Sequence, residues 1–129
     1  MNAKEILICF IEDMGEWENS FREAFMENPA IDKQPYSCQL DEIFNKWCTK
    51  KERKYGRQVS MQVSFPPDYD IENDEITSED ISAKKTLIQV KKNTGFKNEY
   101  RYTLIYKEDR WQIDKKEWLD EGKWKRAYL

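Results

Sequence analysis

The chain contains no histidine, and that absence excludes more than any single residue in it points to. Ser-His-Asp and Cys-His nucleophile systems need an imidazole, as do histidine general bases and histidine metal sites. Lysine, tyrosine and carboxylates still offer acids and bases, so the absence narrows catalysis without closing it. Cysteine is scarce and odd in number: Cys9, Cys38 and Cys48, with no Cys-x-x-Cys spacing. Read as small hydrophobes in a reducing compartment, they call for neither disulfide nor metal, and no cofactor is expected. A basic surplus is lacking too, since the net charge is −3. There is therefore no global case for a nucleic-acid partner. No apolar run reaches membrane-spanning length. The short run 6–11 is followed at once by Glu12, Asp13 and Glu16, which is not the pattern of a secretory signal. The expectation is a cytoplasmic chain with no membrane partner.

What is present suffices for one core. The 129 residues fit a single domain, 1–129, and an aromatic content of 14% provides large apolar side chains despite the abundant charge. The richest stretch is 99–118. Tyr100, Tyr102, Leu104 and Tyr106 alternate with Arg101, Thr103 and Ile105, and Trp111 and Ile113 resume the alternation after a polar turn at 107–110. A period of two means strands, here a hairpin at the centre of a sheet. Further strands are expected over 59–65, near 76–81 and over 82–92, the last joined to the hairpin by a turn at 93–98. The tail from 123 on has Trp124, Tyr128 and Leu129 to bury against sheet or helices.

Two helices precede the strands. Leu7, Phe10, Ile11, Met14, Trp17, Phe21 and Phe25 recur at helical steps over 3–26, with Gly15 a candidate bend and Asn28-Pro29 a stop. Leu40, Ile43, Phe44, Trp47, Cys48 and Tyr55 form a second stripe, with Ser37 as a candidate N-cap and Gly56 as a stop. Lys50, Lys51, Arg53, Lys54 and Arg57 would then crowd the end of that helix, where its dipole favours cations. Helices followed by hairpin-linked strands argue an α+β fold, the helices packed on one side of an antiparallel sheet of about four strands.

The segment 68–80 stands apart. It carries Asp68, Asp70, Glu72, Asp74, Glu75, Glu79 and Asp80 and no lysine or arginine. A calcium loop fails on inspection, because Asn73 occupies the position that needs glycine and a Pro-Pro stop precedes the segment in place of a helix. It reads either as a solvated acidic loop or as a surface for a basic partner.

The order of elements resembles the NTF2-like (cystatin-like, cone-shaped) fold. The run Tyr102-Thr-Leu-Ile-Tyr-Lys-Glu-Asp-Arg-Trp-Gln-Ile-Asp114 is similar to the terminal hairpin of that fold. The continuation through Trp124-Lys125-Arg126-Ala127-Tyr128-Leu129 is similar to the NTF2-fold immunity proteins of bacterial polymorphic toxin systems. The resemblance implies a non-enzymatic protein that binds and neutralises a cognate toxin by occlusion, and it brings no catalytic residues with it. Under that reading the seven carboxylates of 68–80 are the partner contacts. The alternative is an NTF2-like small-ligand-binding protein or enzyme, of isomerase or dehydratase type, whose cone pocket is lined by Tyr100, Tyr102, Tyr106 and Trp111. A third reading is an assembly module that forms a homodimer through the outer face of the sheet.

Overall fold

The N-terminal apolar stripe folds as α1, Ala3–Glu27, in the computed structural model, which describes residues 1–58, 61 and 67–129. Its start is fixed by a capping box. The Glu5 N–H donates to the Asn2 side chain at 2.8 Å and the Asn2 N–H donates to the Glu5 carboxylate at 3.1 Å. Leu7, Phe10, Ile11, Met14, Trp17 and Phe21 are buried. The helix runs through Gly15 without a break. That glycine permits close packing: a Cβ there would lie 2.8 Å from the Tyr69 carbonyl oxygen. Gly→Ala at an exposed helical position gains about 1 kcal/mol. Here the obstacle is backbone and cannot rotate away, so Gly15→Ala is expected to lose about 1–3 kcal/mol, read as a lower urea midpoint.

The second helix, α2, spans Gln34–Trp47. It begins before Ser37, which therefore does not cap it. Pro35 lies in the first turn, where its missing N–H costs nothing, and the Gln34 N–H donates to the Asp32 carboxylate at 3.0 Å. The helix also stops earlier than its stripe suggested. Cys48 forms a bridge to Ile113, and the Thr49 N–H donates to the Ile113 carbonyl at 2.9 Å. A strand offering unpaired backbone groups draws the chain out of the helix at that point. Tyr55 is thus off the helix and exposed, and Lys50 to Arg57 run as irregular chain instead of charging a helix end. Trp17 donates its indole N–H to the Tyr36 carbonyl at 2.9 Å, and Trp47 donates its own to Asp13 at 2.6 Å, which ties α1 to α2.

Among the described residues five strands follow: β1 Asp74–Ile81, β2 Lys85–Lys92, β3 Glu99–Lys107, β4 Arg110–Asp120 and β5 Lys123–Ala127. They pair in chain order as one antiparallel meander. The described part of the sheet has one strand more than the roughly four expected, because the tail pairs with β4. The expected strand 59–65 lies outside the described residues apart from Met61, which is not in a strand. The β3–β4 connection narrows to Glu108-Asp109, at φ 56° and 61°, and β4–β5 turns at Glu121-Gly122, at φ 51° and 76°. Two successive positive φ values mark the type I′ turn, whose twist matches that of the flanking strands.

The helices cover one face, α1 packing on α2 and β4. Phe10 meets the rings of Phe44 and Tyr69 edge-on at 5.8 and 5.5 Å, joining both helices to the segment that leads into β1. One irregularity decides what else faces the helices. Thr103 pairs with Lys115 but Leu104 pairs with Ile113, so Asp114 is an additional residue in β4. Such a bulge moves all that follows to the opposite face. Lys116 and Trp118 therefore stand opposite the inward Tyr102 and Tyr100, while Lys115 and Glu117 turn outward.

Candidate functional site

Seven carboxylates were expected to meet a partner, and the fold divides them. Asp74, at the start of β1, points inward. Lys92 on β2 donates to its carboxylate at 2.7 Å and to the Asp68 carbonyl at 2.8 Å. Burial raises the Asp74 pKa, and the bond from Lys92 acts against the rise. Asp74 is thus committed to an internal ion pair. Asp68 receives Arg57 at 2.5 Å and is half exposed. Asp70 accepts from the Asn73 amide at 2.7 Å, closing the turn that leads into β1. Glu72, Glu75, Glu79 and Asp80 are exposed, and among the described residues no ion pair engages them.

The turn carrying Asp70 and Glu72 is fastened to a neighbouring loop. The Asn93 N–H, at the end of β2, donates to the Asn73 carbonyl at 3.1 Å. The loop after Asn93 presents Phe96, which is 97% exposed. Sequence reading placed this residue in a turn and asked nothing further of it. A phenylalanine without apolar neighbours to bury it was the available signal.

The four aromatic residues expected to line a pocket also separate. Tyr106 and Trp111 pack edge-on at 5.5 Å near the β3–β4 turn. Tyr100 and Tyr102 point under the helices, where with Tyr69 they surround an amine. The Lys116 Nζ lies 4.3, 4.6 and 5.6 Å from the ring centres of Tyr100, Tyr69 and Tyr102. Burial lowers its pKa to about 8. Beside this cage stands Glu18 of α1, which is 1% exposed. The Asp68 N–H donates to one of its oxygens at 3.0 Å, and Arg57 approaches the other at 3.5 Å. Burial outweighs these partners and raises the Glu18 pKa to about 7. A cavity of about 230 Å³ opens onto the cluster, lined by Arg57, Asp68, Tyr69 and Lys116 together with Gly56 and the tail residues Tyr128 and Leu129.

Sequence reading missed the whole polar cluster. For Glu18 a signal existed: it falls in step with Leu7, Ile11, Met14 and Phe21 along the buried face of α1. For Lys116 there was none, because plain alternation in β4 puts Lys115 inside. The cysteines are all free, and burial raises the Cys48 thiol to about 12, which leaves it inert as a small hydrophobe. Among the described residues no cluster of metal-ligating side chains occurs, and no described helix is long and apolar enough to cross a membrane.

Comparison with known proteins bears on this arrangement of two helices over a five-stranded meander. Residues 2–128 match the family described as NTF2 fold immunity protein. The chain is 40% identical over 116 residues to the immunity protein RhsIA of Dickeya dadantii (strain 3937), covering 89% of this chain and 85% of that protein. No solved structure matches it. The two helices, the terminal hairpin and a family match across nearly the full length agree, and the chain belongs to the NTF2 fold immunity proteins.

Proposed function

We propose that this immunity protein neutralises its cognate toxin by covering it, without catalysis, and that the contact surface is the turn before β1, the β1 edge and the neighbouring Phe96. The observation that carries the reading is a juxtaposition. Glu72, Glu75, Glu79 and Asp80 are exposed and uncommitted, and the loop bearing the fully exposed Phe96 is hydrogen-bonded to the same turn. Carboxylates spread along an edge steer a basic partner and fix its register. An aromatic side chain at their border supplies the kind of anchor on which interface energies concentrate. Asp74 and Asp68, which hold the fold, support the surface from within.

The test is binding kinetics against the cognate toxin domain. Reversing Glu72, Glu75, Glu79 and Asp80 together to lysine is expected to lower the association rate by about ten- to a hundredfold and to flatten its salt dependence. Phe96→Ala is expected to act on dissociation instead, by about 2 kcal/mol. Melting temperature should stay nearly fixed in both variants, since all five side chains are exposed. Unchanged kinetics in both would remove this surface from the reading while leaving toxin neutralisation itself untouched.

A further inference from the structure

A lysine buried for structural reasons carries acceptors, and Lys92 shows the pattern with its two oxygens at 2.7 and 2.8 Å. Lys116 does not follow it. The residue is 6% exposed and makes neither an ion pair nor a hydrogen bond among the described residues, only contacts with three tyrosine rings. Burying an ammonium without an acceptor is among the costliest choices a fold can make. A methionine of similar length opposite Tyr102 would avoid that cost, and the three rings offer the ammonium cation–π contacts but no acceptor. Two more donors in this cavity lining, the Arg57 Nε and the Tyr69 hydroxyl, are buried and unpartnered. An unpaired amine, a guanidinium and a phenol thus gather at one cavity of about 230 Å³.

We propose that Lys116 is a nucleophilic amine that condenses with a small carbonyl compound bearing a carboxylate, of the α-keto acid class, in this cavity. The neutral amine adds to the carbonyl carbon and forms the C–N bond. Its two protons leave with the carbonyl oxygen as water, and an imine remains. Arg57 faces the carboxylate, and the Tyr69 hydroxyl donates to the carbonyl oxygen as negative charge gathers there. The depressed basicity of Lys116 suits the role, because a larger fraction of the amine is free at neutral pH than on a solvated lysine. Lower basicity also weakens the nucleophile, so the net advantage is about tenfold. Arg57 already bonds Asp68 and lies 3.5 Å from the buried Glu18, so the incoming carboxylate is received at the unpartnered Nε of the guanidinium. The property stands apart from toxin binding, since the cavity involves neither Phe96 nor Glu72, Glu75, Glu79 or Asp80.

The experiment incubates the intact protein with glyoxylate and sodium cyanoborohydride, which traps imines, and maps the adducts by peptide mass spectrometry. Lys116 is expected to be labelled about tenfold faster than the exposed Lys84, Lys85 and Lys123 at neutral pH. That preference should shrink as the medium becomes alkaline and the solvated amines lose their protons. Acetaldehyde, which lacks the carboxylate, should label Lys116 more slowly than glyoxylate, and Arg57→Met should erase the difference. Labelling that follows exposure and spares Lys116 would overturn the proposal. Equal labelling by the two reagents would overturn its acid specificity. The labelling of Lys116 and the comparison of the two reagents are read on the unaltered protein, so both overturning results are reached without any variant.

Discussion

Stability against urea is expected to fall as the pH rises from about 4.5 to about 7, to stay low to about 8, and to recover in part toward 9. Glu18 binds its proton more tightly in the folded protein, where its pKa is about 7, than in the unfolded chain, where it is 4.5. Its contribution is therefore complete below the unfolded value and is lost as the pH passes through the folded one. Lys116 holds its proton less tightly when folded, at about 8 against 10.5. It destabilises the fold fully below about 8, and the penalty is relieved as the pH rises toward the unfolded value. Each group accounts for roughly 3 kcal/mol across its window, a large part of the stability of a domain this size. The recovery ends near 9, because burial raises the Cys48 thiol from 9.0 to about 12 and its ionisation then favours the unfolded chain, as does that of the Tyr69 and Tyr102 hydroxyls, which burial raises well above their ordinary value. Glu18→Gln should flatten the acid side of the trough. Lys116→Met should flatten the alkaline side and raise stability at neutral pH by about 1–3 kcal/mol, as when a buried ion gives way to an apolar side chain of similar size. A profile level from about pH 5 to about pH 9 would mean that neither group feels its burial.

Phe10→Ala is expected to cost about 3–5 kcal/mol, equivalent to a fall in melting temperature of about 10–20 °C. Phe10 is fully buried and touches Phe44 of α2 and Tyr69 with the edges of its ring system. Its removal opens a cavity where three separate segments meet, and a rigid junction collapses poorly onto a void. Phe25→Ala provides the comparison: this residue lies near the end of the same helix, partly exposed, and should cost about 1 kcal/mol. Comparable losses for the two variants would show that the junction repacks.

The elements legible in the sequence are those whose pattern is local. The stripe from Leu7 to Phe21 gave α1 almost to the residue, and the alternation from Tyr100 to Tyr106 gave β3. The end of α2 was hidden, because what stops it at Trp47 is the backbone of Ile113, some sixty-five residues away. The strand made by Lys123 to Ala127 is short and charged, and only pairing with β4 reveals it. At the site, charge density singled out the acidic segment but could not separate Asp74, which faces Lys92, from Glu75 beside it, which faces outward. Lys116 was illegible because one additional residue, Asp114, inverts the pattern on which the reading depended.

The order of the elements has a consequence during synthesis. Both helices are made first, yet the surface they cover is completed by β4, whose residues come nearly at the end of the chain. The nascent protein leaves the ribosome with the sheet-facing side of α1 uncovered, and it must hold that side away from other chains until β4 has emerged. Slow elongation through the strands lengthens that interval, and a holdase that recognises apolar helices would find its substrate in it.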